Sequence, residues 1–553
     1  MPLVTAQSAI NKGFKYKLAR AVTGVILKIL LLTGRLAEPT VREAALKCPP
    51  SYDLEVLVMP VDVAALASPK SIASYLKGRV RLGDYDLIMV SGAIQGSVKA
   101  VEDVVGVKVV KGPKHAVDIP MLLNLCDPRK LSPEVPADLL FKREMRKFAK
   151  RILVETEASV QSRPHIAVGK RLVPVEPPPV RVVSEVSGVH LLTEERLLEA
   201  VRRRIDEGAD MISLGFEAGV ANPERVKDAV RLVKREYDFP LILDSMIPSE
   251  IVAGVDAGVD MIMSLEAGNM GKVADKVRQL PVVIIPYDSE KGLFARTVED
   301  KLRLLEVNIK KAYKMKVKNI VADPILDPIT LDGIGGTSQS LMAYHLFKQR
   351  RPDIPLLMGL CNVAELVDVD SVGVNALLTM LAAELGASMV LVAEKSVKAA
   401  GSTTEAAIAS QMATIAWKKK TPPKDLGLNL LIFKDKRKVD IPLDVEGAEV
   451  VEVHDKPTKY PLDPLGIFTI RVNHEEGLIE VLYKGAKGKT LMKGKSAASI
   501  CNEILRRRML SMLSHALYLG AELSKAEEAL RTGKSYVQEE NLFERAKPID
   551  LSN

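Results

Sequence analysis

Residues 181–420 repeat one pattern eight times: a short, largely apolar run followed by an amphipathic segment. No other feature of the chain limits its fold so tightly. The runs are Arg181–Val186, Asp210–Gly215, Pro240–Ser245, Asp260–Leu265, Pro281–Tyr287, Asn319–Pro324, Pro355–Cys361 and Ser388–Glu394. Their apolar centres do not alternate with polar residues, as expected of strands covered on both faces. The segments between them, such as Thr193–Glu207 and Asn222–Tyr237, space their apolar residues for a helix. Three runs are entered through Gly208-Ala209-Asp210, Gly258-Val259-Asp260 and Gly386-Ala387-Ser388, where glycine ends a helix and lets the chain reverse. Eight strand–helix units in about 240 residues predict a (β/α)8 TIM barrel over 181–420. A doubly wound open sheet is the competing architecture.

The flanks read differently. Residues 26–162 carry strand signals at Ile26–Thr33, Leu54–Pro60, Asp86–Ser91 and Val107–Val110, with a helix at Pro69–Lys77. This predicts a Rossmann-like α/β domain with a parallel sheet. Residues 1–25 form an N-terminal extension with Lys12, Lys15, Lys17 and Arg20. No small-residue cleavage site follows them, so a targeting segment is not expected. Residues 163–180 hold Pro174 and Pro177-Pro178-Pro179 and read as a linker, because proline continues neither a helix nor a central strand. Beyond Lys420-Thr421-Pro422-Pro423, residues 421–553 suggest strands at Leu428–Phe433, Ala448–Val453, Ile467–Val472 and Leu478–Tyr483. Helices at Ala497–Leu519 and Ser524–Thr532 complete an α+β domain. The expected fold class is therefore α/β, with a central TIM barrel between an N-terminal Rossmann-like α/β domain and a C-terminal α+β domain.

Composition removes several partners. The net charge is +8, but its basic runs, Arg202-Arg203-Arg204 and Lys418-Lys419-Lys420, sit in helical segments and no stretch interleaves them with stacking aromatics. Nucleic acid is not expected. Cys48, Cys126, Cys361 and Cys501 lie far apart, with no paired spacing. Neither a disulfide framework nor a zinc site fits, and a reducing cytoplasm does. No apolar run reaches the length of a membrane span.

In such a barrel the chemistry sits at the C-terminal ends of the strands. Those ends supply Glu185, Glu217, Asp244-Ser245, Ser264-Leu265-Glu266 with Asn269, Tyr287-Asp288, Asp323-Pro324 with Asp327, Cys361-Asn362, and Glu394-Lys395 with Lys398. Helix capping explains acids such as Asp288 and Asp327. Asp244 and Asp323 differ, because each follows a wholly apolar run. Their carboxylates should be partly buried, and a buried carboxylate needs strong donors. A cation or divalent metal would meet that need. So would a pterin, whose 2-amino group and N3–H form a guanidine-like edge that a carboxylate grips with two parallel bonds. An asparagine suits the mixed donor and acceptor positions beside that edge.

Three segments, in order and on the expected strands, resemble the pterin-binding barrels. These are Leu241-Ile242-Leu243-Asp244-Ser245 with Pro248, Glu250-Ile251 and Ala257-Gly258; Ile320-Val321-Ala322-Asp323-Pro324; and Met358-Gly359-Leu360-Cys361-Asn362-Val363 with Asn375 and Leu377. That superfamily contains dihydropteroate synthases and methyltetrahydrofolate:corrinoid methyltransferases. The whole layout resembles archaeal dihydropteroate synthase-related proteins. The resemblance implies that Asp244, Asp323 and Asn362 hold a reduced pterin, with Ser264, Glu266 and Glu217 as further substrate-binding candidates.

Two departures concern the reaction. Where dihydropteroate synthases carry Ser-Arg-Lys after strand seven, this chain reads Cys361-Asn362-Val363. Where they carry Arg-x-His after strand eight, it reads Glu394-Lys395-Ser396-Val397-Lys398. Lys395 and Lys398 are then the candidate catalytic cations for a phosphate, and Glu394 would oppose one. The resemblance implies a pterin-dependent transferase of folate or tetrahydromethanopterin metabolism, with an arylamine or phosphate as second ligand, Mg2+ as an open option and a homo-oligomeric assembly. The alternatives are a methyl-pterin methyltransferase served by a corrinoid protein, and a non-catalytic pterin-binding protein. The N-terminal domain lacks the Asp-x-His-x-x-Gly pattern of many cobalamin-binding domains. Its Gly92-Ala93-Ile94-Gln95-Gly96 turn has the form of a phosphate approach, a form common to many strand-to-helix turns.

Overall fold

The structure, a computed structural model, describes residues 26–81, 83–424, 426–434, 447–453 and 462–543. The 1–25 extension lies outside them. The chain divides into two units: residues 1–154 with 424–428, and residues 155–423 with 429–553.

The first unit is built on a parallel sheet of Leu27–Thr33, Tyr52–Val58, Leu87–Val90 and Val109–Lys111. In chain order the strands lie 2-1-3-4 across the sheet. Ile29, Leu31, Leu87 and Met89 pack on one face, and Leu30, Leu32, Ile88 and Val90 on the other. Burial on both faces is the physical reason the first run is continuously apolar.

The second unit contains the barrel. Its strands are Arg181–Val186, Met211–Gly215, Leu241–Asp244, Met261–Leu265, Val282–Ile284, Ile320–Ala322, Leu357–Gly359 and Met389–Ala393. The parallel ladder runs 6-5-4-3-2-1-8-7, and a bridge between Ala322 and Leu356 joins its two ends. The expected TIM barrel is therefore observed, and an open sheet is not. The three glycine turns behave as expected: Gly208, Gly258 and Gly386 have φ of 100°, 99° and 83°. The next acid then serves the barrel floor. Asp210 accepts the backbone N–H of Val182 at 2.9 Å, and Asp260 that of Leu241 at 2.8 Å.

Residues 163–180 are more than a linker. His165–Val168 and Arg171–Pro174 form an antiparallel hairpin. Its Val168 and Val173 are buried in one cluster with Val183, Met211, Ile242, Met261 and Met389. These are inward-facing residues of the early part of the barrel strands, so the hairpin closes the barrel's N-terminal end. The prolines flank the hairpin or end it, which is why they suggested a break.

The C-terminal region folds as a three-stranded antiparallel sheet, Gly466–Asn473, Leu478–Gly485 and Gly488–Gly494, with helices Ala497–Arg506 and Leu513–Thr532. The third strand was not expected. The strands expected at 428–433 and 448–453 are not formed among the described residues. One predicted helix is two, because Asp463 takes the backbone N–H groups of Ser511 and Met512 at 2.7 and 2.9 Å and turns the chain between them. Among the described residues no helix is long and apolar enough to cross a membrane.

Candidate functional site

Strand alternation decides which side chains enter the barrel mouth. Val183, Ile242 and Val321 share the interior cluster, so Glu185, Asp244 and Asp323, two residues further on, point the same way at the C-terminal end. Cys361 packs against that cluster from the end of strand seven. Three acids from strands one, three and six thus face one space.

Asp244 is the least compensated of them. No described residue donates a hydrogen bond to its carboxyl group. Burial pushes its pKa up to about 8, and the neighbouring charges of Glu185 and Asp323 push in the same direction. The backbone beneath it is fixed by other means. Ser245 donates its hydroxyl to Glu250 at 2.6 Å, Glu250 accepts the Asn222 backbone N–H at 2.8 Å, and Ser245 Oγ accepts that of Ile247 at 3.0 Å. The acid–serine–glutamate pattern of this segment therefore has a mechanical role. It locks the loop that carries an open carboxyl group.

Asp323 is half satisfied. The buried Tyr344 hydroxyl donates to Oδ1 at 2.5 Å, and the backbone N–H of Ile325 donates to the same oxygen at 2.7 Å. Oδ2 receives no hydrogen bond from a described residue. Burial raises this carboxyl to about 6 against the lowering effect of those two bonds. Behind it, the fully buried Lys301 ammonium binds the carbonyls of Pro324 and Ile325 at 3.1 and 2.9 Å and Asp327 at 3.1 Å. Ile325 is held at φ 64°. Asp327 is thus a brace within the loop.

Asn362 donates Nδ2–H to the carbonyl of Leu326 at 3.0 Å. Only the amide nitrogen can serve a carbonyl, so Oδ1 is left for other use; the Cys361 thiol touches it at 3.7 Å. Burial and the surrounding acids push Cys361 up to about 12, which makes it a poor nucleophile.

Glu185 enters over a glycine. A Cβ on Gly215 would lie 2.4 Å from Glu185 Oε1, so the carboxyl keeps this position only while strand two ends without a side chain. Ser187 donates to Oε1 at 2.7 Å. Burial raises this carboxyl, and Lys395 draws it down.

The other candidates are placed differently. Glu266 caps the helix Ala267–Val277 and accepts from Gly268 N, Asn269 N, Ser289 N and Ser289 Oγ at 2.8–2.9 Å. Its oxygens are fully occupied. Asn269 returns its side chain to Glu266 N, Ser264 O and Met246 O, tying strand four to the loop after strand three. Ser264 is buried at the end of strand four. Glu217 is exposed, with His190 Nε2 at 3.6 Å. Asp288 is held by Lys291. Lys398 binds the carbonyl of Val367. Lys395 is exposed and anchored through its backbone N–H to Glu365 at 2.9 Å. Glu394 does not oppose a ligand at the mouth: its buried carboxylate pairs with Arg204 and accepts from Thr403 N and Oγ1 at 3.1 and 2.9 Å. Among the described residues no group of three or more His, Cys, Asp or Glu side chains is arranged to hold a metal ion such as Mg2+.

The site assembles three inward acids, Asn362 and a tyrosine-braced loop on a TIM barrel, the architecture of a pterin-binding barrel. Comparison with known proteins agrees. Residues 184–393 match the family described as pterin binding enzyme, residues 462–539 one described as PterinBD-DUF4346, and residues 27–114 a family of unknown function, DUF6513. The chain is 34% identical over 530 residues to the uncharacterised protein MJ0107 of Methanocaldococcus jannaschii, covering 94% of this chain and 99% of that one. It belongs to the family of that archaeal protein, a dihydropteroate synthase-related family with a pterin-binding barrel. A dihydropteroate synthase of Clostridium beijerinckii is 27% identical over 176 residues, 29% of this chain and 62% of that protein. The solved dihydropteroate synthase of Xanthomonas albilineans, in complex with 7,8-dihydropteroate, is similar at 22% identity and a TM-score of 0.36, covering 46% of this chain and 98% of that one.

Proposed function

We propose that the barrel mouth binds a reduced pterin through Asp244, Asp323 and Asn362, and that the protein is a dihydropteroate synthase-like transferase of folate or tetrahydromethanopterin metabolism. The observation that carries this reading is Asp244: a carboxyl group behind a wholly apolar strand, on a rigid loop, with no donor of its own. A pterin brings the missing donors. The free Oδ2 of Asp323, and the Oδ1 of Asn362 that takes only a weak thiol bond, offer the same ligand further acceptors.

One observation favours the methyl-transfer version. A leaving diphosphate needs cations, yet Lys398 is spent on a backbone carbonyl and Lys395 stands beside Glu185 and Glu365. Transfer of a methyl group from pterin N5 to a corrinoid partner needs no such anion site.

The test has two stages. Titration calorimetry of the full chain with reduced pterins should give binding that Asp244→Ala abolishes. Turnover is then measured with dihydropterin diphosphate plus arylamines, and separately with a methylated pterin plus a corrinoid acceptor. Binding without turnover in either assay would assign the barrel to carriage or sensing. Absence of binding by any reduced pterin would overturn the proposal.

A further inference from the structure

The inward polar atoms that lack a hydrogen-bond donor at the mouth are acceptors; the exposed Lys395 ammonium beside Glu185 is the donor at its edge. Asp244 offers both oxygens and Asp323 its Oδ2, while Asn362 Oδ1 takes only a long, weak bond from the Cys361 thiol. Glu185 adds Oε2, since Ser187 occupies Oε1. The amide of Asn362 cannot turn to present its N–H without leaving the Leu326 carbonyl unpaired. The neighbouring ammonium of Lys301 has its three N–H groups engaged on Pro324 O, Ile325 O and Asp327. A ligand satisfied here must bring N–H groups to most of its ring edge.

The oxidation level of a pterin decides how many it brings. The 2-amino group and N3–H are present at every level. An aromatic pterin adds bare N5 and N8, which only accept. A dihydropterin adds N8–H but keeps N5 as a bare imine. A tetrahydropterin carries N–H at both.

We propose that Glu185 is a third acceptor for pterin ring N–H groups and that this mouth selects the tetrahydro level over the dihydro level. The inference rests on the pterin reading above and adds the substrate class and the residue that sets it. Gly215 supports it, because the only reason visible for a missing side chain at the end of strand two is the Glu185 carboxyl lying over it. Burial raises Glu185 and Asp244, with Glu365 adding to the first and Glu185 and Asp323 to the second, the expected state of acceptors awaiting donors. A protonated Asp244 can hand one hydrogen to a bare N5, so the preference must also hold at about pH 9, above its pKa.

The test uses the full chain under anaerobic, reducing conditions, with 6-methylpterin and its dihydro and tetrahydro forms as probes. Affinities are measured by calorimetry at about pH 7 and about pH 9. The wild-type protein should bind the tetrahydro form at least about tenfold more tightly than the dihydro form, the effect of one charge-assisted bond. Glu185→Gln, isosteric and able both to donate and accept, should reduce that ratio to about threefold or less while leaving the dihydro affinity within about threefold. Equal or tighter binding of the dihydro form by wild type overturns the proposal and leaves the pterin reading standing. Uniform loss of all affinities in Glu185→Gln assigns Glu185 a structural role and also overturns it. Absence of binding by all three probes overturns both readings together. The wild-type ratio decides the matter even where a variant fails to fold.

Discussion

Replacing Asp244 by asparagine should make the protein more stable and less able to bind its ligand. The sign follows from linkage. An aspartate carboxyl ordinarily titrates near 3.8, and burial with two acidic neighbours raises that of Asp244 to about 8. Between those values the folded protein holds a proton that the unfolded chain has lost. Stability is fully present below the lower value and falls as pH rises toward the upper one. Each pH unit in that window removes about 1.4 kcal/mol, so roughly three units make a loss of about 4 kcal/mol at about pH 7, as an upper limit. The amide introduced by Asp244→Asn would keep the shape of the neutral acid and never ionise. The variant should therefore gain on wild type as pH rises, by at most about 1–2 kcal/mol at about pH 5 and at most about 4 kcal/mol at about pH 7, then level off above about pH 8. At roughly 2 °C per kcal/mol for a unit of this size, the Tm gap should widen from at most about 2–4 °C to at most about 8 °C. Thermal melts of both proteins at these three pH values measure it. A variant less stable than wild type at neutral pH, or a Tm gap that does not grow with pH, would refute the claim that the half-buried Asp244 lacks a donor.

Tyr344→Phe removes a bond that lowers Asp323, so its carboxyl should rise from about 6; pterin affinity should fall about three- to tenfold at about pH 7 and change little at about pH 9, in calorimetric titrations. Glu266→Ala removes the acceptor of two donors of the strand-four loop, Gly268 N and Asn269 N, and of two on Ser289 and should lower stability by about 2–4 kcal/mol in denaturant melts. Gly215→Ala places a Cβ against the far end of the Glu185 side chain, which can swing aside. The barrel should melt within about 2–3 °C of wild type, while the tetrahydro-to-dihydro affinity ratio falls to that of Glu185→Gln.

The barrel was legible in the sequence because its constraints are local and repeated. A strand buried on both faces must be apolar, and a helix returning to the floor must end on a residue that tolerates positive φ, as Gly208, Gly258 and Gly386 do. Asp244 and Asp323 were legible for a related reason: each follows an apolar run and stands two residues beyond an inward strand residue, Ile242 and Val321, so its side chain points into the mouth. What supports them was not. Tyr344 and Lys301 lie on helices 21 and 22 residues from Asp323, and nothing in helical spacing marks an inward hydroxyl or ammonium as the brace of a distant loop. Glu266 misled for the opposite reason. It stands at a strand end, yet a carboxylate there serves the next helix as readily as a ligand, and the partner that reveals the cap, Ser289, belongs to another loop. The hairpin 165–174 was hidden by prolines, whose effect on strands is a matter of position that the sequence alone does not supply.

The stability cost of Asp244 and its proposed function have one cause. A half-buried carboxyl group beside two others, with no protein donor, is unfavourable because its charged form lacks partners. A ligand that supplies N–H groups removes that penalty when it binds, so part of the interaction energy goes into discharging a proton held on the acid. Binding should then release protons at neutral pH and cease to do so above about pH 8, where Asp244 is already ionised. The surrounding loops are rigid for the same reason. Ser245 with Glu250, and Lys301 with Tyr344, hold the two acids where they would otherwise turn outward to solvent. Calorimetry in two buffers of different ionisation enthalpy reads the proton count directly. Release of a proton on binding at about pH 7 supports acids that await a donor; uptake would mean that the ligand's own acceptors are read by protonated acids, against the three acids as acceptors.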